Sequence, residues 1–373
     1  MGLRKGSLTF SRYRVTGTLP DHFPDFFNER IRRHAFQSLW RTSDEKAVGW
    51  TALDDPLDME FQFASYAQGR YLLFALRIDR KSVPPALLKL KVAEAEQKKR
   101  QETGQKRLYR EQREAIREAV HLELLGRALP SPSFCEICWS PADNRLSFGS
   151  LSDKLFDELQ DLFRESFSLS LVPFVPGERL FPELPPTAGA SPEAMPANPW
   201  PPGIDPLTIG REFLTWLWFK SDERNGIIAV PDLGECSLAF IRRLVLESGN
   251  GEYAETVVCQ GMHADLKEGR EALRQGKKIS AARLRLNHDQ TEWEFTFKAD
   301  RFHFQSMKLP TLPEEEGEEI DREGQVLERI YLMEKAAEVM DRLFESFLSL
   351  RQTKDWEAEQ PRLERWISSS SGL

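Results

Sequence analysis

The sequence predicts an α+β protein built as two mixed sheet-and-helix lobes with a protruding antiparallel helical finger. Three observations point there. Stretches that alternate apolar and polar residues, the signature of half-buried strands, recur in both halves of the chain. Amphipathic helical stretches fall between them. A long, highly charged helical stretch after Arg80 then interrupts the strand pattern. At 373 residues, with 40% hydrophobic residues and 24 phenylalanines, the chain is long enough for more than one core.

In chain order, "SLTFSRYRVT" (7–16) and "MEFQFASYAQGRYLLFALRI" (59–78) read as strands. "DHFPDFFNERIRRHAF" between them reads as a helix with Phe26, Phe27, Ile31 and Phe36 for its core face, and "VGWTALDDPLDM" as a loop. Val83-Pro84-Pro85 opens a helix, with proline where the first turn tolerates it. Leu88, Val92 and Ala95 form its stripe. "ETG" (102–104) ends it, and a second helix follows with Leu108, Gln112, Ala115, Ile116, Ala119 and Leu122 on one face, closing at Gly126. Strands return at 134–149. "LSDKLFDELQDLFRESF" is an amphipathic helix capped by Ser152.

Eleven of the 23 prolines lie between Pro173 and Pro206, a spacer or surface-laid loop in which "NPWPPG" has the composition of a polyproline ligand. "IGREFLTWLWFKSDE" opens the second half as a helix, and strands with short helices run to Lys308. There "ISAARLRL" and "TEWEFTFK" form a hairpin around "NHDQ". Pairing Leu286 with Thr291 places Leu284 against Trp293, Arg285 against Glu292 and Arg283 against Glu294. "EEEGEEIDRE" (314–323) is a solvated acidic connector. A helix spans about 325–350, with Leu327, Ile330, Tyr331, Ala337, Met340, Phe344 and Phe347 as its stripe, and "ERWISSSSGL" is a frayed end. The resulting division is 1–82 for an N-terminal lobe, 83–129 for the finger and 130–175 for the return of the first lobe. Residues 176–206 are the Pro-rich linker, 207–313 the second lobe, and 314–373 the connector, C-terminal helix and tail.

The chain carries 51 Lys+Arg against 59 Asp+Glu, a formal charge of −8. That balance excludes a uniformly basic nucleic-acid binder but not a local cationic surface. The N-terminal stretch has no apolar segment of signal-peptide type, and no apolar run reaches the roughly 18 residues of a membrane helix. A cytoplasmic protein is expected, with no membrane partner. The four cysteines, 135, 138, 236 and 259, include a C-x-x-C, but on a strand Cys135 and Cys138 point to opposite faces, which disfavours shared metal ligation. No cofactor is expected.

Nucleotide-binding, metalloprotease and hydrolase motifs are all missing. Asp54, Asp55, Asp58 and Glu60 cluster on a loop without converging partners for two metal ions, and Glu294 and Lys298 lack the E-x-K spacing of common nucleases. No enzymatic activity is expected. Basic stretches are the better lead. "EQKKRQETGQKRLYREQRE" (96–114) holds seven Lys/Arg and four Glu, including Lys98, Lys99, Arg100, Lys106 and Arg107. "REALRQGKKISAARLRL" (270–286) leaves Arg270, Arg274, Lys277 and Lys278 for phosphate once the hairpin arginines are paired. Both sets have structural uses as well: i,i+4 pairing along a solvated helix, and cations complementing a helix C-terminus.

In order and character the chain resembles the RdgC family of recombination-associated DNA-binding proteins. The resemblance is clearest from Tyr71 to Pro173, through "LLFALRIDRKSVPPALLKLKVAEAEQKKRQETGQKRLYREQREAIREAVHLELLGRAL". It extends to Val48-Gly49-Trp50, to "RQGKKISAARLRL" and to the C-terminal helix. The resemblance implies a ring-shaped homodimer with duplex DNA in a positively lined hole, binding without sequence preference, associated with the nucleoid and restraining RecA-driven strand exchange. The finger then helps to close the ring. Leu125 and Leu129, in the closing element Leu124-Leu125-Gly126-Arg127-Ala128-Leu129, stand at the dimer contact. Two departures stand out: the family's DNA-contacting Lys-Gln falls at Gly261-Met262, and its closing phenylalanine is Leu129. The competing expectation is a protein-interaction scaffold that never meets DNA.

Overall fold

The computed structural model describes residues 2–40, 42, 44–55, 57–58, 61, 66–177, 180, 205–249, 255–261, 267–310 and 322–369. Most of the Pro-rich segment and of the acidic connector, and the end of the tail, lie outside the described residues.

The protein is α+β, organised on an antiparallel sheet. β1 (Leu8–Thr16) leads to α1 (Phe23–Arg33), then β2 (Lys46–Ala52), β3 (Ala67–Gln68) and β4 (Tyr71–Arg80). The helices α2 (Pro85–Thr103) and α3 (Arg110–Arg127) follow, then β5 (Ser131–Ser140), β6 (Arg145–Phe148), α4 (Asp153–Phe167) and β7 (Ser170–Pro173). The second half runs α5 (Pro206–Glu223), β8 (Ile227–Val230), β9 (Gly234–Ser248), β10 (Glu255–Gln260) and α6 (Lys267–Arg274). It ends with β11 (Lys278–His288), β12 (Thr291–Lys298), β13 (His303–Lys308), α7 (Arg322–Arg351) and α8 (Asp355–Ser368). The sheet order is β10-β9-β11-β12-β13-β1-β6-β5-β4-β2, with β3 on β4, β7 on β1 and β8 on β9.

β1 joins the two halves. Leu8 and Phe10 pair with β13, and Ser11 to Arg14 pair with β6. The two hydrophobic cores lie on opposite faces of this continuous sheet, as the strand alternation shows. On β4, Tyr71 and Leu73 belong to one core and Phe74, Leu76 and Ile78 to the other. Cys138 and Cys135 divide in the same way, so the C-x-x-C thiols face different interiors. All four cysteines are buried and free.

The first core is closed by α1 and α4. Phe27 stacks on Phe167 at 4.9 Å, and Trp50, Trp139 and Phe163 complete an aromatic cluster. The predicted loop "VGWTALDDPLDM" is corrected here: Val48 to Ala52 lie in β2, paired with Ile78 to Phe74. Gly49 permits a close approach, since a Cβ there would sit 2.4 Å from the Phe36 Cα. Ser152 is the N-cap residue of α4, but its side chain makes no cap hydrogen bond.

The second core is covered by α5 and α7. Phe213 meets Phe344 edge-on at 5.2 Å, and Trp216 packs on Phe347. Gly210 lies over Ala299, where a Cβ would meet the carbonyl oxygen at 2.1 Å. On α7, Ile330, Ala337, Met340, Phe344 and Phe347 are buried as the periodicity predicts, whereas Tyr331 is exposed. The tail is not frayed from Glu364 to Ser368: these residues are helical in α8, with Trp366 edge-on to Trp218 at 5.1 Å. Its one buried carboxylate, Glu359, is neutralised by Lys220 and Arg362.

Candidate nucleic-acid interface

The helices α2 and α3 pack against one another as a hairpin. α2 has no buried residue, and its half-buried positions Leu88, Val92 and Ala95 are the predicted stripe. On α3 the inner positions are Gln112, Ile116, Val120, Leu124 and the buried Leu125. Ala115, Ala119 and Leu122, predicted on the same face, are exposed. Gly104 (φ 68°) ends α2 in the left-handed conformation glycine adopts readily, and the Gln112 side chain accepts from the Tyr109 N–H at 3.0 Å to start α3.

Lys98, Lys99, Arg100, Lys106 and Arg107 lie at this closed end, and all are exposed. Arg100 donates to the Glu96 carbonyl at 3.3 Å rather than to its carboxylate. Among the described residues no carboxylate forms an ion pair with any of the five. The hairpin's own ion pairs lie further along, at Lys91–Glu94, Arg110–Glu114 and Glu123–Arg127. The tip is therefore locally cationic. Lys98, Lys99 and Arg100 also suit the C-terminal end of the α2 dipole.

The four cations of the second stretch are differently placed. α6 lies on the helix-covered side of the sheet, since a Cβ at Gly269 would meet Leu244 and Trp218 of the second core. Arg270 is ion-paired with Asp222 and its guanidinium stacks 4.8 Å from the Trp366 ring centroid. Arg274 pairs with Glu271 and donates to the Ile367 and Ser369 carbonyls at 3.0 and 2.9 Å, capping the end of α8. Lys277 is 7% exposed and bonds Glu255 at 2.8 Å. Lys278 lies 3.4 Å from Glu212 and is the most accessible of the four. All four thus have internal partners that a phosphate must displace, and the sequence could not show it because Asp222, Glu212, Ile367 and Ser369 are distant along the chain.

The β11–β12 hairpin corrects the predicted register. His288 pairs with Thr291, Leu286 with Trp293, Leu284 with Phe295 and Arg285 with Glu294. Asp289 and Gln290 form a two-residue turn with φ of 47° and 61°, a mirror-type turn whose twist matches the strands. The predicted faces survive. Glu294 is met by Arg285 at 3.1 Å, Lys308 at 3.4 Å and Arg283 at 3.5 Å. Burial alone would raise its pKa, but contacts with Arg285 and Lys308 and the charge of Arg242 hold it below the usual carboxylate range. The cations Arg242, Arg243, Lys298 and Lys308 on this side were missed. For Lys298 and Lys308 the signal, alternation against Phe297 and Met307, was legible; the bulge in β9 that turns Arg242 out beside Arg243 was not.

Of the residues expected at a dimer contact, Leu125 is 1% exposed and offers no surface, whereas Leu129 is 72% exposed. Met262 lies outside the described residues. Gly261 is exposed and donates its N–H to the Arg242 carbonyl at 3.0 Å.

Asp54 pairs with Arg4, Asp55 accepts from the Leu57 N–H, and Glu60 lies outside the described residues. Among the described residues no group of three His, Cys, Asp or Glu side chains could hold a metal ion, and no helix is long and apolar enough to cross a membrane.

These features define an antiparallel-sheet α+β protein that presents cations on a helical hairpin and on open strands. Residues 10–180, a segment that runs from β1 past β7 and contains the hairpin, match the family model described as "Putative exonuclease, RdgC". No curated protein matches the sequence.

Proposed function

We propose that the protein binds double-stranded DNA without sequence preference, as a ring-shaped homodimer, and acts in homologous recombination by restraining RecA-type strand exchange. The match of residues 10–180 to the RdgC family model supports a role in recombination. The observation that carries the DNA contact is the hairpin tip, where Lys98, Lys99, Lys106 and Arg107 are exposed and have no ion-pair partner among the described residues. Unpartnered cations release counterions from DNA without first giving up an internal bond, so they contribute fully to phosphate binding. Lys278, the most exposed of the second stretch and held only at 3.4 Å by Glu212, joins them on this reading. Arg270, Arg274 and Lys277 serve chiefly to hold α6, α8 and β10 in place. Leu129 supplies exposed apolar area for the dimer contact, and nucleoid association follows from the DNA contact.

The test is retention on duplex DNA as salt is raised, combined with solution mass with and without DNA. Steep salt dependence and a dimeric mass support the reading. No retention at low salt leaves the protein-interaction scaffold in its place. The family description also carries an exonuclease, and magnesium-dependent loss of nucleotides from a duplex end by pure protein would favour that activity over binding alone.

A further inference from the structure

The C-terminal helix α8 is weak by itself and is held to the body by its surroundings. Its one buried side chain is a carboxylate, Glu359, and Pro361 sits inside the helix. Proline lacks the N–H that would bond the Glu357 carbonyl, so the segment has little helical stability of its own. Docking supplies what is missing. Trp356, Leu363, Trp366 and Ile367 lie half-buried against the second core. Trp356 meets Phe347 edge-on at 5.8 Å, and Trp366 packs on Trp218 and Phe219.

The rest of the hold is polar. Glu359 is met by Lys220, by Arg362 at 3.0 Å and by the Trp216 indole N–H, which donates at 3.2 Å. Arg362 also pairs with Glu223, and the Trp366 indole N–H donates to Asp222 at 3.2 Å. Trp216, Lys220, Asp222 and Glu223 all belong to α5, which thus presents two donors and two acceptors to α8.

The junction with α7 supplies a second observation. α7 ends at Arg351 and α8 starts at Asp355. Gln352, Thr353 and Lys354 between them include no glycine or proline, and none takes a positive φ. The Gln352 N–H still bonds the Leu348 carbonyl at 3.2 Å, as in an α-helix, and Lys354 has helical angles (φ −62°, ψ −18°). Arg, Gln and Lys are good helix formers. Nothing local demands a bend; the fold-back of α8 imposes it. With α8 released, these three residues extend α7, and a straight helix carries α8 about 25 Å past Arg351.

Release leaves a groove lined by Trp216, Trp218, Phe219 and Phe347, in which Lys220 and the Trp216 N–H have lost the Glu359 carboxylate. Bare aromatics beside an unpaired buried donor are costly, so the groove favours a replacement helix. That helix must bring a carboxylate to Lys220 and Trp216 and an indole N–H to Asp222. The α8 of a second copy does both.

We propose that α8 exchanges between two copies of the chain: the junction straightens, and each α8 docks in the groove of the other copy. Exchange of an identical element keeps every docking bond and removes the imposed bend, the usual route to a swapped dimer. It rests neither on DNA binding nor on Leu129, so its failure would leave the function proposed above untouched.

The experiment uses two exposed positions at the end of the groove. Gln275 adjoins Arg274, whose guanidinium reaches the Ser369 carbonyl at 2.9 Å. Full-length Gln275→Cys and Ser369→Cys proteins are mixed, held at high salt to weaken the ion pairs, returned to low salt and treated with a short bismaleimide. The native thiols are buried. The expected result is a two-chain product on a denaturing gel, increasing with protein concentration. The same mixture is then made with Gln352→Ala/Thr353→Ala and with Gln352→Gly/Thr353→Gly junctions. Two alanines in place of two glycines favour a continuous helix about 20-fold per junction, so the alanine pair should give far more product than the glycine pair. The double variant Gln275→Cys/Ser369→Cys, cross-linked at high dilution, reports docking within one chain. That internal link without any two-chain product would overturn the exchange. A two-chain product indifferent to the junction would also overturn it, since it would come from another contact between copies, such as the ring. Absence of both links would overturn the docked position of α8 and the exchange with it.

Discussion

His303 gives the protein a built-in sensitivity to acid. The residue is 8% exposed, and burial first, then Arg301, Lys298 and Arg12, push its pKa from 6.5 to about 3. Above pH 6.5 the ring is neutral folded or unfolded, and nothing is lost. Below that, the unfolded chain takes up a proton that the folded protein refuses, so stability falls until the pH approaches 3. With those two values, linkage gives a loss of about 2 kcal/mol between pH 7.5 and pH 5. His303→Gln removes the titration. Urea unfolding of both proteins at the two pH values measures it: the wild type should lose about 2 kcal/mol more than the variant. Equal losses would show that His303 is not held neutral by its surroundings and would refute the reasoning.

Gly49→Ala should destabilise the protein by at least about 2 kcal/mol in urea unfolding, because the new Cβ would press on Phe36 backbone that is pinned by the Phe36 N–H to Trp50 carbonyl bond at 2.8 Å. Replacing Lys98, Lys99, Lys106 and Arg107 together by Gln should leave the unfolding midpoint within experimental scatter and reduce duplex affinity with a shallower salt slope; unchanged binding would remove the hairpin tip from the interface. Arg274→Ala should loosen α8, seen as faster amide exchange at Trp366 and Ile367, since the guanidinium holds the Ile367 and Ser369 carbonyls. Duplex DNA incubated with pure protein and magnesium is expected to come through at full length, checked on a denaturing gel.

Much of the fold was legible because it depends on local period. The strand alternation of Leu8 to Thr16, the stripe of α7 and the paired helices around Glu102-Thr103-Gly104 follow from neighbours in sequence. What escaped depends on distance along the chain. β2 looked like a loop because its pairing partner is β4 and its close contact is Phe36. The frayed tail became α8 because Trp366 finds Trp218 and Arg274 caps the helix end. Charge behaved in the same way. Arg270 and Lys277 read as available until Asp222 and Glu255 folded onto them, whereas Arg242 and Arg243 were overlooked because a bulge, with its left-handed arginine, cannot be read from an alternating pattern.

The claim on which the account stands is that phosphates, not bases or protein partners, are what the cationic surfaces meet. Equilibrium binding of the full-length protein to two unrelated duplex sequences of equal length, across a salt series, tests it most directly. The account predicts one steep line of log K against log salt shared by both sequences. A flat dependence, a marked preference for one sequence, or no binding at low salt would contradict it.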